Sequence, residues 1–407
     1  MNRHPVCASV LVAVALTANA SISPISAQGR LVGGRTSAAG VTYEVWNVGN
    51  GIVEPAVDGT DSVRVRRVSQ MSIPITLVFP VGSRWMVDVA TGYTHGNVAL
   101  NRSDSAIGRS QYELRGITDV RVRAVGGIVA DRVTLTFGAN LPTGATGLNA
   151  EEWAAARLLA APALGFTTPL LGAGGSATAG IVVARPIAGW AWAAAASYEY
   201  RRSYSPVSLI AGIPSPEFSP SDAVHLSLGG DRLLGQSRLT LSASADVFGN
   251  DRLSSGDATS SGIDTGLGPI YTGELQFQVG TRWARDLTVY AVDRYRSSYK
   301  RSGEVVTGSD GNYLDVGART LVPLASHPSM AISGGINVRH QTGLGSDRTL
   351  PTAGYRGVAG VLGAAKTVGG VYSIQPFIRA QLGTIETAGR SSSARFVGAG
   401  VTLGRQF

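Results

Sequence analysis

Four histidines follow the first 27 residues, His95, His225, His327 and His340, and they bound the acid–base chemistry this chain could do. A serine or threonine nucleophile needs its base within hydrogen-bond reach. His327 sits in the tight turn Ser326-His327-Pro328, and none of the four belongs to a local Ser/His/Asp signature. Asp88 and His95 share one apolar-alternating stretch but at opposite parity, which puts them on different faces of a strand. The histidines are too widely spaced for a metal-ligand motif, and the single cysteine, Cys7, lies at the extreme N-terminus. The sequence therefore contains no constellation for catalysis, and it calls for no metal and no cofactor.

Charge is the chemistry that remains. All but two of the 35 basic residues are arginine, the exceptions being Lys300 and Lys366, and the formal net charge is +8. Such a balance fits a nucleic-acid binder in principle. The arginines stand singly along the chain, however, and form no stripe that would track phosphates, so a nucleic-acid partner is not expected.

Their spacing is more informative. From Val63 to Phe79 the odd positions carry Val63, Val65, Met71, Ile73, Ile75, Leu77 and Phe79, and the even positions carry Arg64, Arg66, Gln70, Ser72 and Thr76. Arg132 sets the polar parity of the next clear case, against Val133, Leu135, Phe137, Ala139 and Leu141; Asp246 lies opposite Leu239, Leu241, Ala243, Ala245 and Val247. Period-two alternation is the mark of strands with one apolar face. By the same parity Arg121, Arg123, Arg201, Arg294, Arg319 and Arg379 join the polar face, together with acids such as Asp88, Asp119 and Glu199. The rest of that face is Ser, Thr, Gly and Gln, which suits a crowded aqueous lumen better than an outer surface rich in Lys and Glu. Arginine in excess over acid inside a lumen would favour anions. The plainer reading is that these arginines pair with the acids and stiffen the wall.

The elements that must position them are strands throughout. The last runs to the final residue, with Val397, Ala399, Val401, Leu403, Arg405 and Phe407 on one face and Phe396, Gly398, Gly400, Thr402, Gly404 and Gln406 on the other. A terminal strand stays ordered when both its edges are paired, as in a closed barrel. Residues 1–27 read as a secretory signal: Arg3 and His4, then an apolar stretch from Cys7 to Ala20, then Ile25-Ser26-Ala27 before Gln28. That stretch is shorter than the roughly 20 residues that span a bilayer as a helix. Residues 28–407 then form one domain. With 53 glycines, 15% charged residues and a mean hydropathy of +0.12, it is too polar for a helical membrane bundle and has the mixture expected of a barrel with one face to lipid and one to water.

The connections alternate in length. Tight ones lie at Val81-Gly82-Ser83, Ala130-Asp131, Ala188-Gly189, Gly235-Gln236, Ala284-Arg285-Asp286, Ser326-His327-Pro328 and Gly369-Gly370; long polar ones lie at 100–111, 205–221, 250–268, 300–310 and 341–355. Seven hairpins, a first strand near Val41 to Val48 and the terminal strand make sixteen strands, with fourteen as the alternative. The expectation is an all-β transmembrane antiparallel up-and-down barrel with periplasmic turns and extracellular loops. Trp85, Tyr93, Trp190, Trp192, Tyr198, Tyr200, Tyr271 and Trp283 fall on outward faces, mostly near strand ends, as interface aromatics do.

One connection is different. Within 142–175, Asn149 and Glu152 form an N-cap and capping-box pair opening a helix from Ala150 to Ala161, with Trp153 and Arg157 one turn apart. Two placements are compatible with its apolar composition: folded into the mouth as a constriction, or packed on the outer rim.

The last strand, with its final aromatic and alternating apolar residues, resembles the C-terminal assembly signal of Gram-negative outer-membrane β-barrel channel proteins; Arg405 departs from the usual apolar pattern. The resemblance implies residence in the outer membrane, contact with its lipid, and Phe407 as a handle for the barrel-assembly machinery. Phe137-Gly138-Ala139-Asn140-Leu141-Pro142-Thr143-Gly144, with the glycine-rich return that precedes the next strand, resembles outer-membrane transporters of the phenol-degradation meta-pathway type, which implies small organic solutes. The function expected is passive diffusion of small solutes, anionic or aromatic. The alternatives are a lipid- or peptide-hydrolysing barrel and a closed structural or adhesive one. Nothing in the sequence sets an oligomeric state.

Overall fold

The computed structural model describes residues 36–55, 62–101, 111–129, 132–161, 163–168, 171–208, 216–254, 263–280, 286–342, 354–387 and 390–406. Residues 1–27, read from the sequence as a secretory signal, Trp283 and Phe407 lie outside these residues.

Sixteen antiparallel strands close into a barrel, which decides between sixteen and fourteen. They are β1 (Thr36–Pro55), β2 (Ser62–Val81), β3 (Trp85–Leu100), a strand broken into β4 (Gln111–Ile117) and β5 (Val120–Val129), β6 (Val133–Leu141), β7 (Ser176–Ile187) and β8 (Trp190–Arg201). After the short β9 (Glu217–Ser219) come β10 (Ala223–Leu234) and β11 (Ser237–Phe248), then β12 (Asn250–Ser254) and β13 (Ile263–Gly266). The wall continues with β14 (Ile270–Val279) and β15 (Asp286–Arg296), and β16 (Lys300–Arg301) and β17 (Glu304–Val305) follow. It is completed by β18 (Gly311–Leu324), β19 (His327–Gln341), β20 (Gly354–Val368), β21 (Tyr372–Thr387) and β22 (Arg390–Gln406). Each wall strand pairs with the next, and β22 pairs with β1 from Thr36↔Gln406 to Val48↔Ala394, so the barrel has no free seam.

The tight turns all fall at one end. Ala188 and Gly189, both at positive φ (51° and 78°), make the two-residue turn whose twist matches the flanking strands. The long connections fall at the other end, and three of them contribute short strands: β9, β12, β13, β16 and β17 form a separate five-stranded sheet. Tyr204, just after β8, is bonded through its backbone to Phe218 of β9 in both directions, and burial pushes its hydroxyl pKa up.

Outward side chains are apolar over the middle of the wall. Ile336 (60% exposed), Leu362 (66%), Leu382 (64%), Val397 and Leu403 are among the most exposed large apolar residues described. An apolar exterior around a closed barrel, its first and last strands paired with each other, is the solution a membrane allows a sheet. Trp190 and Trp192 stack 5.5 Å apart and Trp85 stacks on Phe137 at the turn end, while Tyr198, Tyr200, Tyr271 and Tyr295 are exposed at the loop end. No helix among the described residues is long and apolar enough to cross a membrane.

One strand departs from the expected parity. In β2 the pairing with β3 slips between Val65 and Arg67, where Arg66 is the extra residue. A bulge of this kind exchanges the two faces. Val65 and Val68 are therefore both inside and fully buried, and Arg64 and Arg66 are exposed on the outer side, not in the lumen.

Candidate functional site: the lumen and its inserted segment

The connection between β6 and β7 folds into the barrel. Its helix, α1 (Ala150–Leu159), starts where Asn149 Oδ1 accepts the N–H groups of Glu151 and Glu152 at 3.0 and 2.9 Å and Glu152 accepts Asn149 N–H at 2.9 Å. It ends at Leu159, two residues earlier than expected. Ala155, Ala156, Leu158 and Leu159 are buried against the inner faces of β2, β3 and β4, and the rim placement is excluded. Gly96 makes this approach possible: a Cβ there would stand well inside contact distance of the Leu159 methyl. Trp153, exposed, and Arg157, half-buried, occupy the rest of the helix surface.

Beyond the helix the chain is tied to the wall by polar side chains of distant strands. Trp46 Nε1–H donates to Leu164 O at 2.8 Å. Glu44 accepts Thr167 N–H at 2.9 Å and, through its other oxygen, Arg379 at 2.9 Å; the Arg379 guanidinium lies 4.6 Å from the Phe396 ring. Gln70 bonds both the N–H and the carbonyl of Thr168. Asp119, at the break between β4 and β5, accepts from Gly144 N–H, Asn140 Nδ2–H and Ala173 N–H, each at 2.8 Å, and so clasps the segment where it enters and leaves. Around these contacts a dry cluster forms from Trp46, Ile52, Val65, Val98, Leu158, Leu159, Leu164, Tyr355, Ile385 and Phe396. Each such side chain contributes about 1.5–3 kcal/mol by leaving water. The inserted segment thereby covers the inner faces of β1–β4 and β20–β22 at the loop end.

The remaining inner wall, from β6 round to β19, is polar and partly accessible: Thr136, Thr178, Ser197, Ser227, Ser242, Gln276 and Asn337 are all half-buried inward-facing residues. Charges on it are mostly matched. Arg123 binds Asp88 at 2.8 Å, Arg201 binds Glu199 at 2.7 Å, and Arg238 binds Asp231. His225 lies between Asp246 (2.8 Å) and Glu199 (3.6 Å), both ring nitrogens facing carboxylates. Arg319 donates to Gln276 at 3.3 Å and stacks over Tyr290. Arg339 lies over Tyr313 and Tyr355, 3.9 Å from Asp315.

Arg121, Arg294 and Arg296 have no hydrogen-bonding or ionic partner among the described residues. Arg294 and Arg296 stand at alternating inward positions at the loop end of β15, opposite Tyr313 and Gly311. Arg132 is in the turn before β6, where it is exposed. Of the four early-strand arginines expected to face the lumen, Arg64 and Arg66 are therefore outside and Arg123 is paired with Asp88, leaving Arg121. The anchors Glu44 and Trp46 were the functional positions not singled out as such. Their signal was an acid and a large aromatic on the inward parity of β1, where a plain aqueous wall would carry small residues.

No family model matches the chain, and no curated protein matches its sequence. Solved structures with a similar course include a TodX deltaS2S3 mutant, a monoaromatic hydrocarbon channel (10% identity, TM-score 0.45, 92% of this chain and 91% of that one). OccK11 (OpdR) of Pseudomonas aeruginosa is similar at 10% identity and TM-score 0.45, over 92% of this chain and 96% of that one. A Pseudomonas aeruginosa FadL homologue is similar at 9% identity and TM-score 0.44, over 93% and 91%.

Proposed function

We propose that the chain is an outer-membrane channel for passive diffusion of small solutes, with a preference for anions. The observation that carries this reading is the divided lumen. A dry cluster and α1 close one side, and the other side keeps half-exposed Ser, Thr, Gln and Asn along the whole inner wall. A closed structural barrel has no need to maintain a polar, accessible half. The export signal read at residues 1–27 and the apolar exterior support the outer membrane as the location. Anion preference rests on Arg121, Arg294 and Arg296, whose charge no described carboxylate balances, because unneutralised charge in a narrow low-dielectric passage selects by field. His225 is held by carboxylates on both sides and offers no free nitrogen to activate a nucleophile, so a hydrolase reading finds no support here.

The reversal potential of the purified protein in a planar bilayer under a salt gradient tests this. The expected sign is that of an anion-selective pore; a cation-selective pore would refute the preference.

A further inference from the structure

Above the apolar belt the barrel exterior is not uniform. On the side of β8, β14 and β15 the outward residues at the loop end are tyrosines: Tyr198, Tyr200, Tyr271 and Tyr295. On the opposite side, β22, β1 and β2 place Arg395, Asn47 and Arg67 in one register row, since Asn47 pairs with Arg395 on one flank and with Arg67 on the other. All three are exposed and outward. The two arginines stand two strands apart, about 10 Å between backbones. Two side chains of that length can close around one tetrahedral anion, with the Asn47 carboxamide between them. Tyr43, one turn of the alternation below Val45 on the same outer face, bonds Arg67 Nη2–H through its hydroxyl at 3.3 Å and so ties that guanidinium toward the lipid edge.

Two further features specify the occupant. Immediately beside and below the row the outer face is aliphatic, with Leu382 paired to Arg395 and Val397 two residues on, 64% and 57% exposed. Among the described side chains nearby, Glu386 lies 3.9 Å from Arg356, and Glu113 lies 3.9 Å from His95 and accepts from Gln111. A positive clamp set directly over an acyl-compatible surface fits an amphiphile whose phosphate sits at the interface.

We propose that Arg67, Asn47 and Arg395 form an outward site for the phosphate of a phosphorylated glycolipid in the outer leaflet, with its acyl chains on Leu382 and Val397. The proposal rests on the outer-membrane placement given above and is independent of what passes through the lumen.

The test is native mass spectrometry of the full-length, delipidated protein in detergent, titrated with lipid A, with dephosphorylated lipid A, or with inorganic phosphate. At about fivefold per arginine near a charged lipid surface, R67Q/R395Q should bind lipid A about 25-fold more weakly, and R67K/R395K should recover part of the loss. Heat-modifiable migration of each variant checks that the barrel is intact. Equal lipid A binding by wild type and the glutamine variant would overturn the site. So would equal binding of the dephosphorylated lipid, which would mean acyl contact alone, or saturation by inorganic phosphate at the same concentration, which would mean a free-anion site. Bilayer conductance of the same variant separates the two readings: a lost conductance in wild type bears on the channel, whereas retained conductance with lost lipid binding is the expected pattern.

Discussion

Gln70 and Thr168, 98 residues apart in the chain, bond each other twice: the Gln70 amide donates to the Thr168 carbonyl at 2.6 Å and its oxygen accepts Thr168 N–H at 2.9 Å. Gln70 is fully buried, so this pair welds the inserted segment to the wall where no water competes. Replacing Gln70 by Leu leaves both backbone groups without partners, at about 1–3 kcal/mol each. The expected outcome is a lower temperature for the heat-modifiable transition and noisier single-channel currents. A transition unchanged from wild type would mean that the segment is held without this pair.

Asp119 is the stronger anchor. Its carboxylate is an acceptor for three donors from three parts of the chain, and an asparagine would turn an N–H₂ toward some of them. Asp119→Asn should expose the segment between Gly144 and Gly172 to protease in detergent, where wild type resists. Equal resistance of the two proteins would contradict the clasp.

Gly96 tests the packing of α1 on the wall. Gly96→Ala forces a methyl against Leu159 in a cluster with no spare room, an overpacking cost of about 1–3 kcal/mol. Adding Leu159→Ala should recover part of that loss, a coupling readable as a double-mutant cycle on the thermal transition. Additive losses would place the helix elsewhere.

Arg294 and Arg296 carry the proposed selectivity more directly than Arg123, which Asp88 neutralises. Arg294→Gln with Arg296→Gln should move the reversal potential toward cations, while Arg123→Gln alone should move it little. Equal shifts from the two changes would mean that pairing does not cancel the Arg123 field.

Much of the wall was legible because strand periodicity and turn chemistry agree: all seven tight connections named from the sequence join consecutive wall strands. Parity failed in β2, since a bulge inserts Arg66 with no glycine or proline beside it in that strand to announce it. The start of α1 was readable from Asn149 and Glu152, because a cap is local. Its place inside the barrel was not, because Trp46, Glu44 and Gln70 meet it from strands about a hundred residues away. The small sheet of β9, β12, β13, β16 and β17 escaped because strands of two to five residues are too short to show a period.

The central claim, a membrane barrel whose lumen is half sealed by an inserted segment and half open to solutes, is tested most directly by single-channel conductance. Wild type should give discrete, stable openings in a planar bilayer, and a variant lacking residues 145–171 should give openings of clearly larger conductance. No conductance from either protein, or the same conductance from both, would contradict it.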